Sequence, residues 1–197
     1  MNFLNIKSLI NKKSLGMALF GFSAGLPLLL IFSTLSVWLV KAGVERSAIT
    51  LFSWAGFAYS FKFLWTPIVD HYRLPLISSI GHRKSWLLLS QILIIIAIFV
   101  TSYSDPSKNL LFTAAGIVFI AFSSATQDIV IDAFRIESET IKKQGALSSM
   151  YLAGYRIAMI VSGAGSLWLA TYFGVEIYNQ DTWKKVYQIM GCLMLIG

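Results

Sequence analysis

Asp128 and Asp132 stand one helical turn apart, just after the stretch from Asn109 to Gln127, which contains no charged residue. A charged side chain at the centre of a bilayer costs roughly 2.5 to 3.5 kcal/mol on insertion scales, so such groups pair, face a cavity or serve transport. Residues at i and i+4 project from one helix face, and Arg135, three residues after Asp132, continues that row. Burial opposes the charge on a carboxylate and a neighbouring cation favours it, so an aspartate held between the two can gain or lose a proton as its surroundings change. Lys62 and Arg156 are the cations that interrupt other apolar runs, at depths comparable with Asp128. The candidate substrate or proton pathway is therefore Lys62, Gln127, Asp128 and Arg156. Plainer readings stand beside it. Asp132 and Arg135 also read as an ion pair capping a helix at the membrane surface, and Lys62 also reads as a side chain snorkelling to the interface.

These residues need elements to hold them, and the composition says what kind. The chain is 56% hydrophobic and 13% charged, with a mean hydropathy of +0.70, far from the roughly 25% charged residues of a soluble domain. Helical spans need about 17 to 25 apolar residues. The sequence predicts an all-α integral membrane protein with five complete transmembrane helices and the start of a sixth, near 15–40, 48–69, 86–103, 110–134, 146–173 and 186–197. Turn chemistry separates them at Lys41 to Arg46, Asp70 to Lys84 and Ser104 to Ser107. The period of two expected of barrel strands is missing from these runs.

Nine lysines and arginines, among them Lys7, Lys12, Lys13, Arg73, Arg83, Lys84, Arg135, Lys142 and Lys143, fall on one side of that arrangement. Five fall on the other, offset by Glu45, Asp105, Glu176 and Asp181. The bias places the N-terminus and a tail of residues 1–14 in the cytoplasm. The first part of this tail reads either as a short interfacial helix or as a disordered basic segment. The first apolar run is too long for a cleaved signal peptide, whose hydrophobic region is about 7 to 15 residues. The net charge of +7 belongs to this anchoring and not to nucleic acid, because no basic patch with interleaved aromatics lies outside the spans.

Cys192 is the single cysteine, so no disulfide framework or metal cluster is expected, and no cofactor. His71 and His82 have neither a nucleophile elbow nor metal spacing beside them, and no enzyme motif is found.

Gly21, Gly25 and Pro27 gather near the middle of the first span. Proline removes a backbone hydrogen bond and glycine weakens the helix before it, so a break beside a substrate cavity is one reading. Close helix packing through Gly21 and Gly25 is the other. Gly163 and Gly165 favour packing, and Trp38, Trp86, Trp168, Tyr172 and Trp183 fall where an interfacial aromatic belt would lie.

Several segments together resemble the AmpG muropeptide permeases of the major facilitator superfamily. They are Gly25-Leu26-Pro27-Leu28-Leu29-Leu30, Phe61-Lys62-Phe63-Leu64-Trp65-Thr66-Pro67 with Asp70, Gly81-His82-Arg83-Lys84-Ser85-Trp86, Ser124 to Arg135, and Gly154-Tyr155-Arg156. The resemblance implies proton-coupled import of anhydromuropeptides across the bacterial inner membrane for cell-wall recycling. It also implies a cytoplasmic gate, here Asp70, Arg73, Arg83, Lys84, Asp132 and Arg135. The signature departs from the family pattern: His71 stands where a base is usual, Thr66 where a glycine is usual, and an insertion with Pro75 divides it. Superfamily members have two six-helix halves, and the likeness covers the N-terminal half alone. Partners implied are the lipid bilayer, protons, a muropeptide or other small solute, and a second half or another copy of the chain. Two alternatives remain: a non-transporting fragment or subunit of a split transporter, and a major facilitator for a different solute.

Overall fold

A computed structural model describes residues 12–75, 78–174 and 178–197, without the side chains of Ser78 and Lys142. The N-terminal segment 1–11, with Lys7, and Glu176 lie outside the described residues. Among those described, every regular element is helical. They are α1 (Lys12–Leu29), α2 (Leu35–Lys41), α3 (Arg46–Phe52), α4 (Phe57–Ser60), α5 (Thr66–His71), α6 (His82–Ser102), α7 (Leu110–Ser138), α8 (Ile141–Ile160), α9 (Ser166–Tyr172) and α10 (Gln180–Leu193).

Four helical stretches among the described residues are long and apolar enough to cross a bilayer: Lys12–Lys41, His82–Ser102, Leu110–Ser138 and Lys143–Tyr172. The chain is a membrane protein, and its surface has the matching character. On α6 the exposed residues Leu88, Ile92, Ile96 and Val100 repeat every four positions, while Leu87, Ile94, Ala97 and Ile98 turn inward.

The expected span 48–69 is not one uninterrupted helix. It is a relay of α3, a 3-10 turn Ser53–Gly56, α4, a second 3-10 turn Lys62–Leu64, and α5. Pro67, in the first turn of α5, has no N–H to give Phe63. The bonds just before it shorten to i,i+3 pairs, Leu64 N–H to the Phe61 carbonyl at 2.9 Å and Trp65 N–H to the Lys62 carbonyl at 3.3 Å. The expected span 186–197 belongs to a helix that starts earlier, at Gln180, where Asn179 Oδ1 accepts the Asp181 N–H at 2.9 Å.

α1 passes through Pro27 without ending and gives way to a π-helical segment, Leu30–Thr34, before α2 resumes. A matching π segment, Val161–Gly165, joins α8 to α9. These two irregular stretches meet. Thr34 Oγ1 donates to the Ser162 carbonyl at 2.7 Å and lies 2.7 Å from Ser166 Oγ, and the Tyr187 hydroxyl donates to the Leu30 carbonyl at 3.1 Å. Side chains from neighbouring helices thus serve backbone in the segments where the regular ladder is disturbed, as a hydrocarbon environment requires.

α1 also lies almost backbone to backbone on α8. A Cβ on Gly25 would stand 2.5 Å from the Tyr155 carbonyl oxygen, and one on Gly21 or Gly154 would overlap the carbonyl of Tyr151 or Ala18. The remaining core is an aromatic and aliphatic cluster in which Trp38 stacks on Trp183 at 5.9 Å and tilts against Tyr187 at 4.8 Å.

Candidate functional site

α7, 29 residues long, carries most of the singular polar groups and lies against α4, α5, α6 and α1. Its carboxylate Asp128 faces Lys62 in the 3-10 turn, with Oδ2 3.8 Å from Nζ and side chains 14% and 33% exposed. That separation exceeds the roughly 2.7 to 2.9 Å of a charge-assisted hydrogen bond, so the two groups pair by proximity and not by a made bond. Trp65 sets the register: its Nε1–H donates to Thr126 Oγ1 at 3.1 Å and its ring stacks on Phe122 at 4.5 Å. Among the described residues Asp128 Oδ1 is buried without a hydrogen-bond partner, and the hydroxyls of Ser124, one turn earlier on α7, and of Tyr59, three residues before Lys62, are buried beside one another. Tyr151 and Tyr155 on α8 and Asp132 on α7 complete the ionisable surroundings of Asp128.

Gln127 lies on a different side of α7. Its amide donates to Ser23 Oγ at 3.2 Å and to Gln91 Oε1; Ser23 Oγ donates to Gln91 Oε1 at 2.6 Å, and Gln91 donates to the Met194 carbonyl. This buried network ties α1, α6, α7 and the 3-10 turn Met194–Ile196 together. Arg156 is not part of either group. It is exposed on α8, and its guanidinium approaches Met159 Sδ at 3.9 Å on its own helix.

At the other end of α7 the residues expected to form a gate fall into two groups. Arg83 donates to Asp70 Oδ1 at 2.6 Å and to Glu137 Oε1 at 2.8 and 3.0 Å, while His82 Nε2 lies 3.0 Å from the Asp70 carbonyl and Trp86 Nε1 donates to the Tyr72 carbonyl at 2.9 Å. Arg135 pairs with Asp132 at 3.1 Å and donates to Ser148 on α8. Gln144 Nε2 covers the last carbonyls of α7, those of Arg135, Ile136 and Glu139. Glu139 accepts from Lys13 at 2.8 Å and neighbours Lys143 at 3.5 Å, and the Lys13 hydrogen bond holds its carboxyl below the ordinary value. Arg73 and Lys84 are exposed and enter none of these ion pairs; Lys84 borders a cleft of about 280 Å³ with Phe20, Phe134, Gln91 and Gln127.

Gly21 and Gly25 are the α1–α8 contact described above, and Pro27 is buried one residue short of the Leu28–Leu29 step into the π segment. Sequence reasoning did not single out Glu137, Ser23, Gln91, Tyr59 or Ser124. Gln91 could have been found, as the lone amide in the run Leu87 to Val100.

Residues 15–134 match the family model described as acetyl-coenzyme A transporter 1. The chain belongs to this family. Its relatives include an anhydromuropeptide permease of Escherichia coli K12, 39% identical over 176 residues, which are 89% of this chain and 34% of that protein. A Rickettsia felis transporter named AmpG 4 is 36% identical over 177 residues, 90% of this chain and 41% of its own length. A Rickettsia prowazekii transporter named AmpG 3 is 36% identical over 185 residues, 93% and 42%. The chain thus spans between a third and about two fifths of the curated relatives it matches. The family region covers the Lys62–Asp128 pair, the Gln127 network on α1, α6 and α7, and the Arg83–Asp70 contact.

Proposed function

We propose that this chain is the N-terminal half of a proton-coupled importer of peptidoglycan fragments, with no enzymatic step of its own. The observation that carries the reading is the Lys62–Asp128 pair between the α3–α5 relay and α7, loosely joined at 3.8 Å within apolar surroundings. The likeness to an anhydromuropeptide permease supplies the substrate class. In this reading α3 to α5 together make a second span and α10 opens a sixth, giving half of a major facilitator bundle in the bacterial inner membrane with its N-terminus in the cytoplasm.

Protonation of Asp128 frees Lys62 from its counter-charge, and the freed ammonium then attracts an anionic group, such as a substrate carboxylate, or swings toward water. Asp70, Arg83 and Glu137 hold one end of the bundle shut until that change reaches α7. Because relatives are more than twice as long, uptake needs a second half beside this one. Arg156, exposed on α8, then serves the cavity facing that second half.

The deciding experiment is proton-driven uptake of labelled anhydromuropeptide into proteoliposomes, with and without a co-expressed C-terminal half from a relative. Uptake with the second half, abolished by Asp128→Asn, is expected. Uptake that survives Asp128→Asn with its proton coupling intact removes Asp128 from the pathway. A second reading, transport of an acetyl-coenzyme A-like solute, is favoured by the description of the matching family; competition by acetyl-coenzyme A and none by anhydromuropeptide would select it.

A further inference from the structure

Ser33, Ser36 and Ser53 border one cleft of about 300 Å³ between the π segment that follows Pro27 and the start of the α3–α5 relay. Phe32 and Phe52 supply its aromatic walls, and no charged residue borders it. Ser33 and Ser36 stand three residues apart, which puts them on one helix face, and Ser53 meets them from the relay. All three are exposed. The outward row of α6 is instead aliphatic, with Leu88, Ile92, Ile96 and Val100. A polar outward row within a span faces a cavity in place of lipid.

The hydroxyls of this cleft are available. Ser36 Oγ donates to the Phe32 carbonyl at 2.6 Å, which leaves its lone pairs to accept, and Ser33 and Ser53 enter no hydrogen bond among the described residues. The backbone beneath them is fixed. Thr34, next to Ser33, turns inward onto Ser162 and Ser166, and Tyr187 holds the Leu30 carbonyl, so the π segment keeps Ser33 directed outward. π segments of this kind occur frequently at functional sites. Gly56 lets the relay come close to one aromatic wall, since a Cβ there would meet the Phe32 ring at 3.3 Å.

Uncharged hydroxyls beside aromatic rings match a ligand that is itself uncharged, rich in hydroxyls and apolar on one face. A pyranose ring has that character: its polar groups exchange hydrogen bonds with serines in both directions, and its C–H face lies against an aromatic ring. A phosphate or carboxylate would find no cation in this lining and would lose its water without compensation. Ligand pockets run from roughly 300 to 1,000 Å³, so a cleft of about 300 Å³ takes one ring and leaves the rest of a larger molecule outside. Ser53 precedes Lys62 by nine residues, roughly 14 Å along the relay at about 1.5 Å per residue, on the side remote from Asp70 and Arg83.

We propose that this cleft is a sugar subsite: Ser33, Ser36 and Ser53 bind the hydroxyl or N-acetyl groups of one uncharged amino-sugar ring, with Phe32 and Phe52 against its apolar face. The assignment rests on the reading of this chain as half of a peptidoglycan-fragment importer. The Lys62–Asp128 pair, further along the same relay, is left to the charged peptide end of the substrate. Sugar recognition and proton coupling are then separated along one span.

The test is cysteine protection in proteoliposomes that hold the chain with a co-expressed C-terminal half, with uptake followed in the same preparation. Cys192, exposed on α10, is first removed by Cys192→Ser. Ser33→Cys and Ser53→Cys are then labelled singly with a water-soluble maleimide. A saturating anhydromuropeptide should slow both labelling reactions at least about fivefold, and the same peptide without its sugars should slow neither. Ser33→Ala combined with Ser53→Ala should raise the KM for uptake roughly fivefold with kcat unchanged, because these contacts bind substrate without driving its movement. Full uptake with no protection of either cysteine overturns the subsite and leaves the importer reading standing. Equal protection by the sugar-free peptide or by acetyl-coenzyme A overturns the assignment to a sugar. Neither uptake nor protection overturns the subsite and the importer reading together.

Discussion

Thr34 Oγ1 lies 2.7 Å from the carbonyl oxygen of Ser162, so the π segment after Pro27 is joined to the π segment between α8 and α9. Tyr187 reaches the same region from α10, onto the Leu30 carbonyl. π segments leave carbonyls poorly served by their own helix, and these two are served by neighbours. Tyr187→Phe removes one hydroxyl from a fully buried site and should lower stability by about 1 kcal/mol. Equilibrium unfolding in mixed micelles measures it, and an unchanged midpoint would mean that the Leu30 carbonyl is served from elsewhere.

Helix approach supplies a larger effect. A side chain at Gly154 must displace the α1 backbone near Ala18 and Phe22, which no rotamer change can achieve. Gly154→Val is expected to lose roughly 1 to 3 kcal/mol or more through forced separation of α1 and α8. Gly145→Val, where nothing stands within 4 Å, is the matched control and should be nearly neutral. Equal loss in both variants would make the glycine effect one of helix propensity.

Much of this was legible in the residues. The runs near Trp86, Leu110 and Ala146 announced α6, α7 and the α8–α9 span because they are uniformly apolar and bounded by turns. The break in the expected span 48–69 was not legible, since Pro67 signals a helix start as readily as a disturbance of the turns before it. Lys62 and Asp128 were found because charge in an apolar run has few explanations. Ser23 and Gln91 were passed over because neutral polar residues in such runs are common, and only packing shows that they converge on Gln127. Depth along parallel helices cannot give azimuth, which is why Arg156 was expected beside Asp128 yet lies exposed on α8.

At the Asp70 end, Arg83 lies between two carboxylates, Asp70 and Glu137. Each pair is partly exposed, so each alone contributes only about 0 to 1 kcal/mol. Arg83→Ala should destabilise by more than either carboxylate deletion, because it leaves two acids facing one another. Adding Glu137→Gln to Arg83→Ala should therefore recover part of the loss. A double-mutant cycle that is strictly additive would show that the three groups do not share one contact.

The opposite end has its own pH window. Asp105 is partly buried, which opposes its charge, but hydrogen bonds from Ser107 and Tyr178 and the nearby Lys108 hold its carboxyl below the usual value. Burial, then the hydrogen bond to Asp105, pushes the Tyr178 hydroxyl up to about 12. Asp105 therefore contributes stability above the unfolded carboxylate value of about 3.9, lost as pH falls through its lower folded value. Tyr178 contributes below its unfolded value of about 10, lost as pH rises through about 12. Tyr178→Phe should remove this alkaline contribution and weaken the acid one, leaving the share that Ser107 and Lys108 supply. Tyrosinate absorbance titrated in the chain and in Tyr178→Phe gives the readout; a Tyr178 that ionises near 10 would contradict the contact.

Lys62 and Asp128 invite the same logic inside the bundle, with a sharper outcome. Removing one member of a buried pair leaves an uncompensated charge and is more damaging than replacing both, up to about 3 to 5 kcal/mol for fully buried pairs. With Lys62 33% exposed, that figure must be discounted, and a loss nearer 1 to 2 kcal/mol is expected for Asp128→Asn. Lys62→Gln should cost less, because Asp128 can take up a proton and become neutral, whereas Lys62 in Asp128→Asn keeps its charge unless it reaches water. The double variant Lys62→Gln with Asp128→Asn should be more stable than Asp128→Asn alone. Losses that simply add would mean that the 3.8 Å contact couples nothing.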